Sequence, residues 1–417
     1  MNILFMTLLD FDSINEHNIY ADLLRKFYEE GHAVYIISPV ERRKKCGTKY
    51  LVINERVNIL KLKIGNIQKT NVVEKGISTV LLEGKFIAAI KRYFDKVKFD
   101  LVLYATPPIT LQRAVSYVKK RDNAVTYLML KDIFPQNAVD MGMLSKTGVK
   151  RFLYQYFRQK EKRLYRGSDY IGCMSEANVR YVREHNEFIV PEKVEVCPNC
   201  IEPSEKTIAA NECEQKQIRA KYGIPQGKTV FVYGGNLGRP QGIDFIIKCI
   251  NEIEQLSQVY ALIVGSGTEY NKLAHAIEDN HLKNTKLVSY MPKRDYDILL
   301  QVCHVGLIFL DYRFTIPNFP SRLLAYLDAS LPVFAIVDQA TDVGEVIESG
   351  HFGWSCESNN ASRAARMFEE ISNSPELGIK GKNGRDYLQR HYAVDVAYQV
   401  IVSHFINKLD LPHLKPD

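Results

Sequence analysis

A glycine-rich run at residues 233–242 combines the residue types that bind phosphate groups. Its sequence is Tyr-Gly-Gly-Asn-Leu-Gly-Arg-Pro-Gln-Gly, between a predicted strand and a predicted helix. Glycines let backbone N–H groups approach an anion, and the amino end of a helix adds a positive dipole. The guanidinium of Arg239 can neutralise a phosphate with a planar set of donors. The run favours a diphosphate-binding turn over a tight turn without a ligand, and it is not a P-loop, because no Gly-Lys-Ser/Thr follows.

A second pair of glycines, Gly265 and Gly267, follows the next predicted strand. Their spacing matches the start of a dinucleotide-binding fingerprint, but Tyr270 stands where the third glycine would be. We therefore expect these glycines to form a turn, and a nicotinamide-dependent enzyme is disfavoured.

Polar residues follow a predicted strand of the first half at residues 131–137. Because α/β sheets present functional groups at the carboxyl ends of their strands, Asp132 is a candidate base, hydroxyl-orienting group or ligand for a cation. The alternative is an Asp that caps the next helix. His17 and Asn18, in the first loop, are predicted at the same sheet edge as sugar contacts, although Asn18 can equally be a helix cap.

The spacing of Cys197 and Cys200 is that of a redox pair or half a zinc site. A zinc site needs four protein ligands, or three and a water molecule, and no second cysteine pair follows at a suitable distance. We therefore expect ordinary thiols here and no metal. Eight cysteines in 417 residues also do not form a disulfide scaffold, which favours a cytoplasmic protein.

Two basic segments of the first half could meet an anionic partner. Residues 150–166 combine seven Lys and Arg with an apolar stripe that contains Phe152, Leu153, Tyr156, Phe157 and Leu164. Such a helix can lie on a membrane surface, but we expect the stripe to face the core. Residues 42–45, Arg-Arg-Lys-Lys, form a predicted loop whose side chains are not needed to pack a core. They are therefore the better candidate for membrane contact.

Length and patterning indicate two α/β domains. The 417 residues are 46% hydrophobic and 25% charged, which is ordinary globular composition. Strands alternate with amphipathic helices in both halves, which predicts parallel sheets covered on both faces. A polar segment at 201–215 is predicted as a linker, and residues 362–411 as mostly helical. No apolar run approaches the roughly 18 residues of a membrane span, and residues 1–9 are predicted as a buried strand rather than a secretion signal.

Charge is distributed unevenly between the halves. Residues 1–200 contain 33 Lys and Arg against 22 Asp and Glu, a net charge of +11, whereas the remainder contains 22 against 26. The basic first half is thus the part expected to meet an anionic partner. Nucleic acid is disfavoured because no known binding module is present.

In these motifs the chain resembles the GT-B glycosyltransferases of family 4, and more closely the bacterial branch that builds capsule, colanic-acid and O-antigen units. The resemblance covers nearly the whole chain. It rests on Asp-Ile-Phe-Pro at 132–135, Met-Ser-Glu at 174–176, Pro-Asn-Cys-Ile-Glu at 198–202, the run at 235–242, Val-Gly-Ser-Gly at 264–267 and Ile-Pro-Asn-Phe-Pro-Ser-Arg-Leu at 316–323.

The resemblance implies an α/β fold of two Rossmann-like, doubly wound domains that face a cleft, with a C-terminal helix returning to the first domain. Residues 1–204 would bind the acceptor, residues 205–390 the nucleotide sugar, and residues 391–417 would hold the returning helix. It also implies a retaining, metal-independent transfer of a hexosyl or N-acetylhexosaminyl group from a UDP-sugar, without a cofactor. The expected acceptor is a growing glycan on a polyprenyl diphosphate, which places the protein in the cytoplasm, peripheral to the inner membrane face.

The implied site residues fall into three groups. Asp132 and Arg239 would be catalytic. The acceptor would contact His17, Asn18, Lys131 and Asn199. The nucleotide sugar would contact Gly235, Asn236, Gly238, Arg239, Gln241, Gly265, Gly267, Tyr290, Pro317, Asn318, Ser321 and Arg322.

The chain departs from the family pattern at four positions. Two Glu residues, which have seven residues between them in the family, align with Pro317 and Ala325, and the Lys beside the phosphate-binding Arg aligns with Gln241. The His before the first-domain Asp is Lys131, and Arg322 is a candidate for the missing positive charge. These departures keep two alternatives open: a GT-B scaffold subunit without catalysis, and a GT-B sugar-nucleotide epimerase.

Overall fold

The computed structural model describes residues 1–67, 70, 72–204 and 210–405. Its contacts divide the chain into two compact units, one of Met1–Glu202 with Val394–Asp417 and one of Pro203–Ala393. Both units are built on parallel sheets with helices, as predicted. Among the helices of the described residues, none combines the length and the apolar character that crossing a membrane requires.

The first unit is built on an eight-stranded sheet. Its strands are β1 (Asn2–Met6), β2 (Ala33–Glu41), β3 (Lys49–Asn54), β4 (Val57–Ile64), β5 (Leu101–Thr106), β6 (Val125–Leu130), β7 (Tyr170–Cys173) and β8 (Val194–Val196). They lie in the order β3-β4-β2-β1-β5-β6-β7-β8. All neighbours are parallel except β3 and β4 at the edge. The central strands are covered on both faces, which explains their continuous apolar sequences.

Six helices of the first unit connect these strands or lie beside them. They are α1 (Ala21–Glu29), α2 (Val72–Tyr93), α3 (Gln112–Asp122), α4 (Gln136–Asp140), α5 (Lys150–Gly167) and α6 (Glu176–Glu184). The apolar face of α1 carries Leu24 and Phe27, which are buried in the same cluster as Ile3 and Phe5 of β1. Its apolar residues recur every three to four positions, which is the pattern of an amphipathic helix.

The second unit is built on a six-stranded parallel sheet. Its strands are β9 (Thr229–Asn236), β10 (Val259–Ser266), β11 (Thr285–Val288), β12 (Val305–Phe309), β13 (Val333–Val337) and β14 (Gly353–Glu357), in the order β11-β10-β9-β12-β13-β14. Its helices are α7 (Glu212–Tyr222), α8 (Ile243–Ile253), α9 (Tyr270–Asp279), α10 (Lys293–Val302), α11 (Arg322–Asp328), α12 (Val343–Ser349), α13 (Ala361–Ser372) and α14 (Leu377–His391).

The C-terminal helix α15 (Val394–Ser403) packs within the first unit, as the predicted fold class requires. The Tyr398 ring meets the Phe27 ring edge-on at 5.0 Å between centroids, and its hydroxyl lies 3.1 Å from Nε2 of His32. The helix therefore shares the core of α1. The predicted helical tail ran to residue 411, and its last part lies outside the described residues.

The segment predicted as a linker is partly helical. The capping box of α7 begins at Asn211, whose side chain accepts a hydrogen bond from the Glu214 N–H at 2.9 Å, while the Glu214 side chain accepts one from the Asn211 N–H at 3.2 Å. The linker prediction was thus wrong for the carboxyl-terminal end of the segment, where α7 begins. An Asn and a Glu three residues apart can start a helix even where apolar periodicity is weak. Residues 205–209 of that segment lie outside the described residues.

The apolar stripe of α5 does not face the core along its length. Leu164 is buried and Phe157 is half-buried, but the side chains of Phe152, Leu153 and Tyr156 are 77%, 49% and 46% exposed. The prediction was therefore wrong for the amino-terminal half of the helix. The carboxyl-terminal half of α5 is fixed, for example where Lys119 Nζ of α3 donates to the Gly167 carbonyl at 3.2 Å.

Candidate active site

The turn after β6 holds Asp132 in a defined orientation. Thr106, at the end of neighbouring β5, accepts a hydrogen bond from the Lys131 N–H at 3.1 Å and donates one to the Asp132 carbonyl at 3.2 Å. The Asn137 side-chain amide donates to Oδ1 of Asp132 at 2.7 Å. Burial raises the pKa of Asp132 to about 6 against the opposing effect of this amide. The carboxyl group is therefore oriented, and it titrates close to neutral pH.

The other predicted acceptor contacts have varied surroundings. His17 is 70% exposed, with Nδ1 3.7 Å from Oδ1 of Asp22. Asn18 is a helix cap, since its Oδ1 accepts from the backbone N–H groups of Tyr20 and Ala21 at 3.0 and 2.9 Å. The contacts of these two residues thus hold them at the start of α1.

Lys131 and Asn199 are more enclosed. Lys131 is half-buried, and burial lowers the pKa of its ammonium group. Asn199 is buried, and among the described residues nothing hydrogen-bonds its Oδ1. The neighbouring thiols of Cys197 and Cys200 are buried and free. In the part of the chain that the structure describes, no group of three or more His, Cys, Asp or Glu residues could hold a metal ion.

Glycines of the second unit allow β9 and β10 to meet closely at their carboxyl ends. Gly235 pairs with Gly265 in the strand register. A Cβ atom on Gly265 would lie 2.0 Å from the carbonyl oxygen of Gly235, and one on Gly267 would lie 2.2 Å from that of Leu237. Both distances are far below van der Waals contact. The first role of these glycines is therefore to let the two turns touch.

Gln241 closes the glycine-rich turn from within. It lies in a short 3₁₀ helix at Arg239–Gln241 and is buried. Its Oε1 accepts from the Gly238 N–H at 3.1 Å and from the Asn236 side-chain amide at 3.3 Å. Gln241, at the position where the family has a Lys, thus stabilises the loop with a neutral side chain.

Two arginines supply positive charge near this turn. The Arg239 side chain is 59% exposed, and its Nε lies 3.9 Å from Oε1 of Glu269. The Arg322 guanidinium lies 4.2 Å from the centre of the Tyr233 ring, and its Nη2 is 3.2 Å from the position of a Cβ on Gly235. Nη1 of Arg322 is buried, and it has no hydrogen-bond partner among the described residues. The guanidinium is therefore held over the turn with an unused donor.

The remaining predicted nucleotide contacts lie around α11 or on the surface. Tyr290 is 78% exposed after β11. Pro317 is buried, Asn318 is half-buried, and Ser321 is exposed directly before α11. The Asn318 carbonyl accepts a hydrogen bond from Oγ1 of Thr341 at 2.5 Å, which fixes the loop before Arg322.

Two groups that support the candidate site were not predicted from the sequence. Tyr326 is buried one helical turn after Arg322; its hydroxyl accepts from the Gly234 N–H at 3.1 Å and donates to the Leu307 carbonyl at 3.0 Å. It therefore ties α11 to the glycine-rich turn. The sequence signal for Tyr326 was its position four residues after Arg322, which places both side chains on the same side of α11. Asn137, which orients Asp132, was the second omission, and its position on the following helix α4 was the signal for it.

Comparisons with known proteins agree with this arrangement. The profile of the family "Glycosyl transferases group 1" matches residues 214–413. The probable glycosyltransferase WbjE of Pseudomonas aeruginosa is 23% identical over 385 residues, which cover 90% of both chains. The putative colanic acid biosynthesis glycosyl transferase WcaI of Escherichia coli K12 is 21% identical over 255 residues, 60% of this chain and 61% of that one.

Solved structures share the fold across nearly the full length. The structure of HepE from Anabaena in complex with UDP-glucose superposes with a TM-score of 0.69 at 14% identity, covering 98% of this chain and all of that one. The matched profile identifies residues 214–413 as a group 1 glycosyl transferase domain, and the two parallel α/β units have the GT-B fold of the solved glycosyltransferases.

Proposed function

We propose that the protein transfers a sugar from a UDP-sugar to a glycan acceptor in the synthesis of a bacterial surface polysaccharide. The observation that carries the donor assignment is the unpartnered Nη1 of Arg322, which is buried beside the glycine-rich turn. A buried donor without a partner is costly, so such groups usually bind something that the free protein lacks. A diphosphate satisfies both the charge and the hydrogen bond.

The proposed donor site lies in the second unit. Arg322 and Arg239 would hold the diphosphate, together with backbone N–H groups at Gly235 and Asn236, whereas the Gly238 N–H is engaged by Gln241 and would shape the turn. Gly265 and Gly267 would shape the wall of the site, and Gln241 would stabilise it from within. Tyr290, Pro317, Asn318 and Ser321 would line the nucleoside side. HepE has been solved with UDP-glucose, which supports UDP as the nucleotide.

Catalysis is proposed to be retaining and metal-independent. The diphosphate leaving group gains negative charge as the glycosidic bond breaks, and two guanidinium groups stabilise this charge where other enzymes use a divalent cation. Asp132, oriented by Asn137, would position a hydroxyl of the acceptor or the donor. His17, Asn18, Lys131 and Asn199 are the proposed acceptor contacts.

The proposed acceptor is a glycan on a polyprenyl diphosphate, which would place the protein on the cytoplasmic face of the membrane. The excess of basic residues in the first 200 positions supports this acceptor, because both a diphosphate headgroup and anionic lipids attract positive charge. The name of WcaI, a colanic acid biosynthesis glycosyl transferase, supports a polysaccharide product.

A thermal-shift titration tests the donor assignment. Purified protein is titrated with UDP, GDP, ADP and CMP, with and without EDTA, because a ligand of the folded state raises the unfolding temperature by mass action. We expect a saturable shift with UDP that EDTA leaves unchanged. A shift with GDP alone would replace the donor class. If none of the four nucleotides raises the unfolding temperature, the donor site is contradicted and a scaffold role is favoured. The absence of the two Glu residues, replaced by Pro317 and Ala325, would then be the reason.

A further inference from the structure

The amino-terminal half of α5 presents an apolar stripe to solvent. Val149, the residue directly before α5, lies three and four residues before the adjacent pair Phe152 and Leu153, and Tyr156 follows that pair at the same spacing, which places the four on one side of the helix. They are 88%, 77%, 49% and 46% exposed in that order. We call these four residues the α5 stripe. A folded protein rarely exposes a contiguous set of large apolar side chains unless the set binds something.

The surroundings of the α5 stripe are positively charged. Residues 141–160 contain three Lys and two Arg and no acidic residue, and of these five only Arg158 and Lys160 are paired with carboxylates among the described residues, those of Glu161 and Glu83. Lys146, Lys150 and Arg151, which flank the stripe, are exposed. A face that combines large apolar and aromatic side chains with adjacent basic ones has the composition of a helix lying at an anionic lipid interface.

The loop at residues 42–45 is a weaker candidate for membrane contact than its basic sequence predicts. The Arg42 guanidinium is 2.6 Å from Glu74, the Arg43 side chain is 2.7 Å from Glu41, and Lys44 is paired with Asp10. Three of the four basic groups are therefore already compensated by carboxylates. They would attract an anionic surface less than Lys146, Lys150 and Arg151, which form no ion pair with a carboxylate among the described residues.

We propose that the α5 stripe, with Lys146, Lys150 and Arg151, is the surface by which this protein docks on an anionic lipid bilayer. The four apolar side chains enter the boundary between headgroups and acyl chains, and the three basic groups contact lipid phosphates. A second copy of the chain fits this surface less well, since a symmetric contact would bring the same positive charges together.

The position of α5 links this docking surface to the candidate active site. The Phe157 ring packs edge-on against Phe134, two residues after Asp132, with centroids 5.0 Å apart. A docked helix would thus hold the Asp132 turn close to the headgroups, where a lipid-borne acceptor presents its glycan. This link rests on the proposed function, whereas the docking surface itself requires only the exposed side chains and their charge.

Vesicle co-sedimentation of the full chain tests the proposal. We expect binding to vesicles of phosphatidylglycerol and phosphatidylcholine, and at least tenfold weaker binding to phosphatidylcholine alone. The double variant Phe152→Ser/Leu153→Ser should lose at least tenfold in partitioning to the anionic vesicles. Lys150→Gln/Arg151→Gln should lose about 25-fold at low salt, since each basic residue near such a surface contributes about fivefold.

A matched control comes from the edge strand β3. Val52 and Ile53 are 64% and 51% exposed, so Val52→Ser/Ile53→Ser removes a similar exposed apolar area elsewhere in the same unit. This variant should bind vesicles as the wild type does. Equal loss in both double variants, or unchanged binding of Phe152→Ser/Leu153→Ser, would overturn the proposal. So would a wild type that fails to bind anionic vesicles, or one that instead forms a dimer which Phe152→Ser/Leu153→Ser dissociates.

Insertion can be measured directly with a fluorescent side chain. Phe152→Trp, corrected for the native Trp354, should shift its emission to shorter wavelength on anionic vesicles and be quenched by brominated acyl chains. Titrating UDP without vesicles separates this inference from the proposed function. A protein that binds anionic vesicles but not UDP would contradict the donor site alone. A protein that binds UDP but not the vesicles would contradict only the docking surface.

Discussion

The Arg322 guanidinium lies 4.2 Å above the centre of the Tyr233 ring, which places a cation of α11 over the last apolar residue before the glycine-rich turn. The ring supplies a favourable face for the cation, and its hydroxyl donates to the Asn236 carbonyl at 2.6 Å. The guanidinium is thus oriented while Nη1 stays unused among the described residues. Since Gly235 has no side chain, a ligand can reach this donor from the turn.

Replacing Arg322 should weaken nucleotide binding without unfolding the protein. A hydrogen bond from a charged donor to a phosphate contributes about 1.5–3 kcal/mol, so Arg322→Ala should raise the Kd for UDP about 10- to 100-fold in isothermal titration calorimetry. Arg294→Ala, at an arginine that is 82% exposed and paired with Glu214, is the control and should bind UDP normally. A Kd for Arg322→Ala within twofold of the wild type would contradict the phosphate contact.

Arg239→Ala should reduce turnover more than stability. Its side chain is 59% exposed, and its nearest carboxylate is 3.9 Å away, so truncation leaves no buried charge unpaired. If the guanidinium stabilises the departing diphosphate, kcat should fall about 10²- to 10³-fold. The measurement is transfer from a UDP-sugar beside chemical denaturation of the same variant. Unchanged kinetics would exclude Arg239 from catalysis.

Asp132 should give transfer a pH dependence near neutrality. Burial raises the pKa of this carboxyl from 3.8 to about 6. If the ionised form orients a hydroxyl, kcat/KM should rise with pH and reach half its maximum near pH 6. Asp132→Asn, which keeps an oxygen for the Asn137 amide, should be low and flat over the same range. A rate in Asp132→Asn equal to that of the wild type would remove this residue from the mechanism.

The same shift predicts a stability difference of defined sign. The folded chain binds the Asp132 proton more tightly than the unfolded chain does, so the wild type loses stability as pH rises from about 4 to about 6. Asp132→Asn lacks this loss. Relative to the wild type, its free energy of unfolding should increase by about 1–3 kcal/mol between those pH values. Denaturation at pH 4 and pH 7.5 measures the difference, and parallel curves for both proteins would disprove it.

Gly265→Ala should disrupt the contact between β9 and β10. The new methyl group would lie 2.0 Å from the Gly235 carbonyl oxygen, which is backbone and must move. Overpacking of this kind costs about 1–3 kcal/mol, and UDP binding should weaken because the turn shifts with it. Gly378→Ala, in open space on α14, is the control and should be neutral or stabilising by about 0.5–1 kcal/mol. Equal unfolding curves for the two variants would show that the turns are not closely packed.

Periodicity and turn composition were sufficient to predict most of the fold. Strands β1, β5, β6, β9 and β10 are apolar runs that end at polar or glycine residues, and helix α1 repeats its apolar residues every three to four positions. Each pattern can be read within a single strand or helix, because the residues on the buried side of the element recur with its own period. The start of α7 was missed because the signal there was a capping box rather than a hydrophobic period.

The sequence by itself determined the two α/β units and the segments that carry polar groups after their strands. Tertiary structure alone decided what each group faces. Gln241 turns inward to its own loop, Arg322 leaves a donor unused over Tyr233, and Phe152 points to solvent although its spacing fits a core helix. The reason is physical: a helix period defines an apolar face, but whether that face is covered depends on how far the neighbouring elements extend beside it.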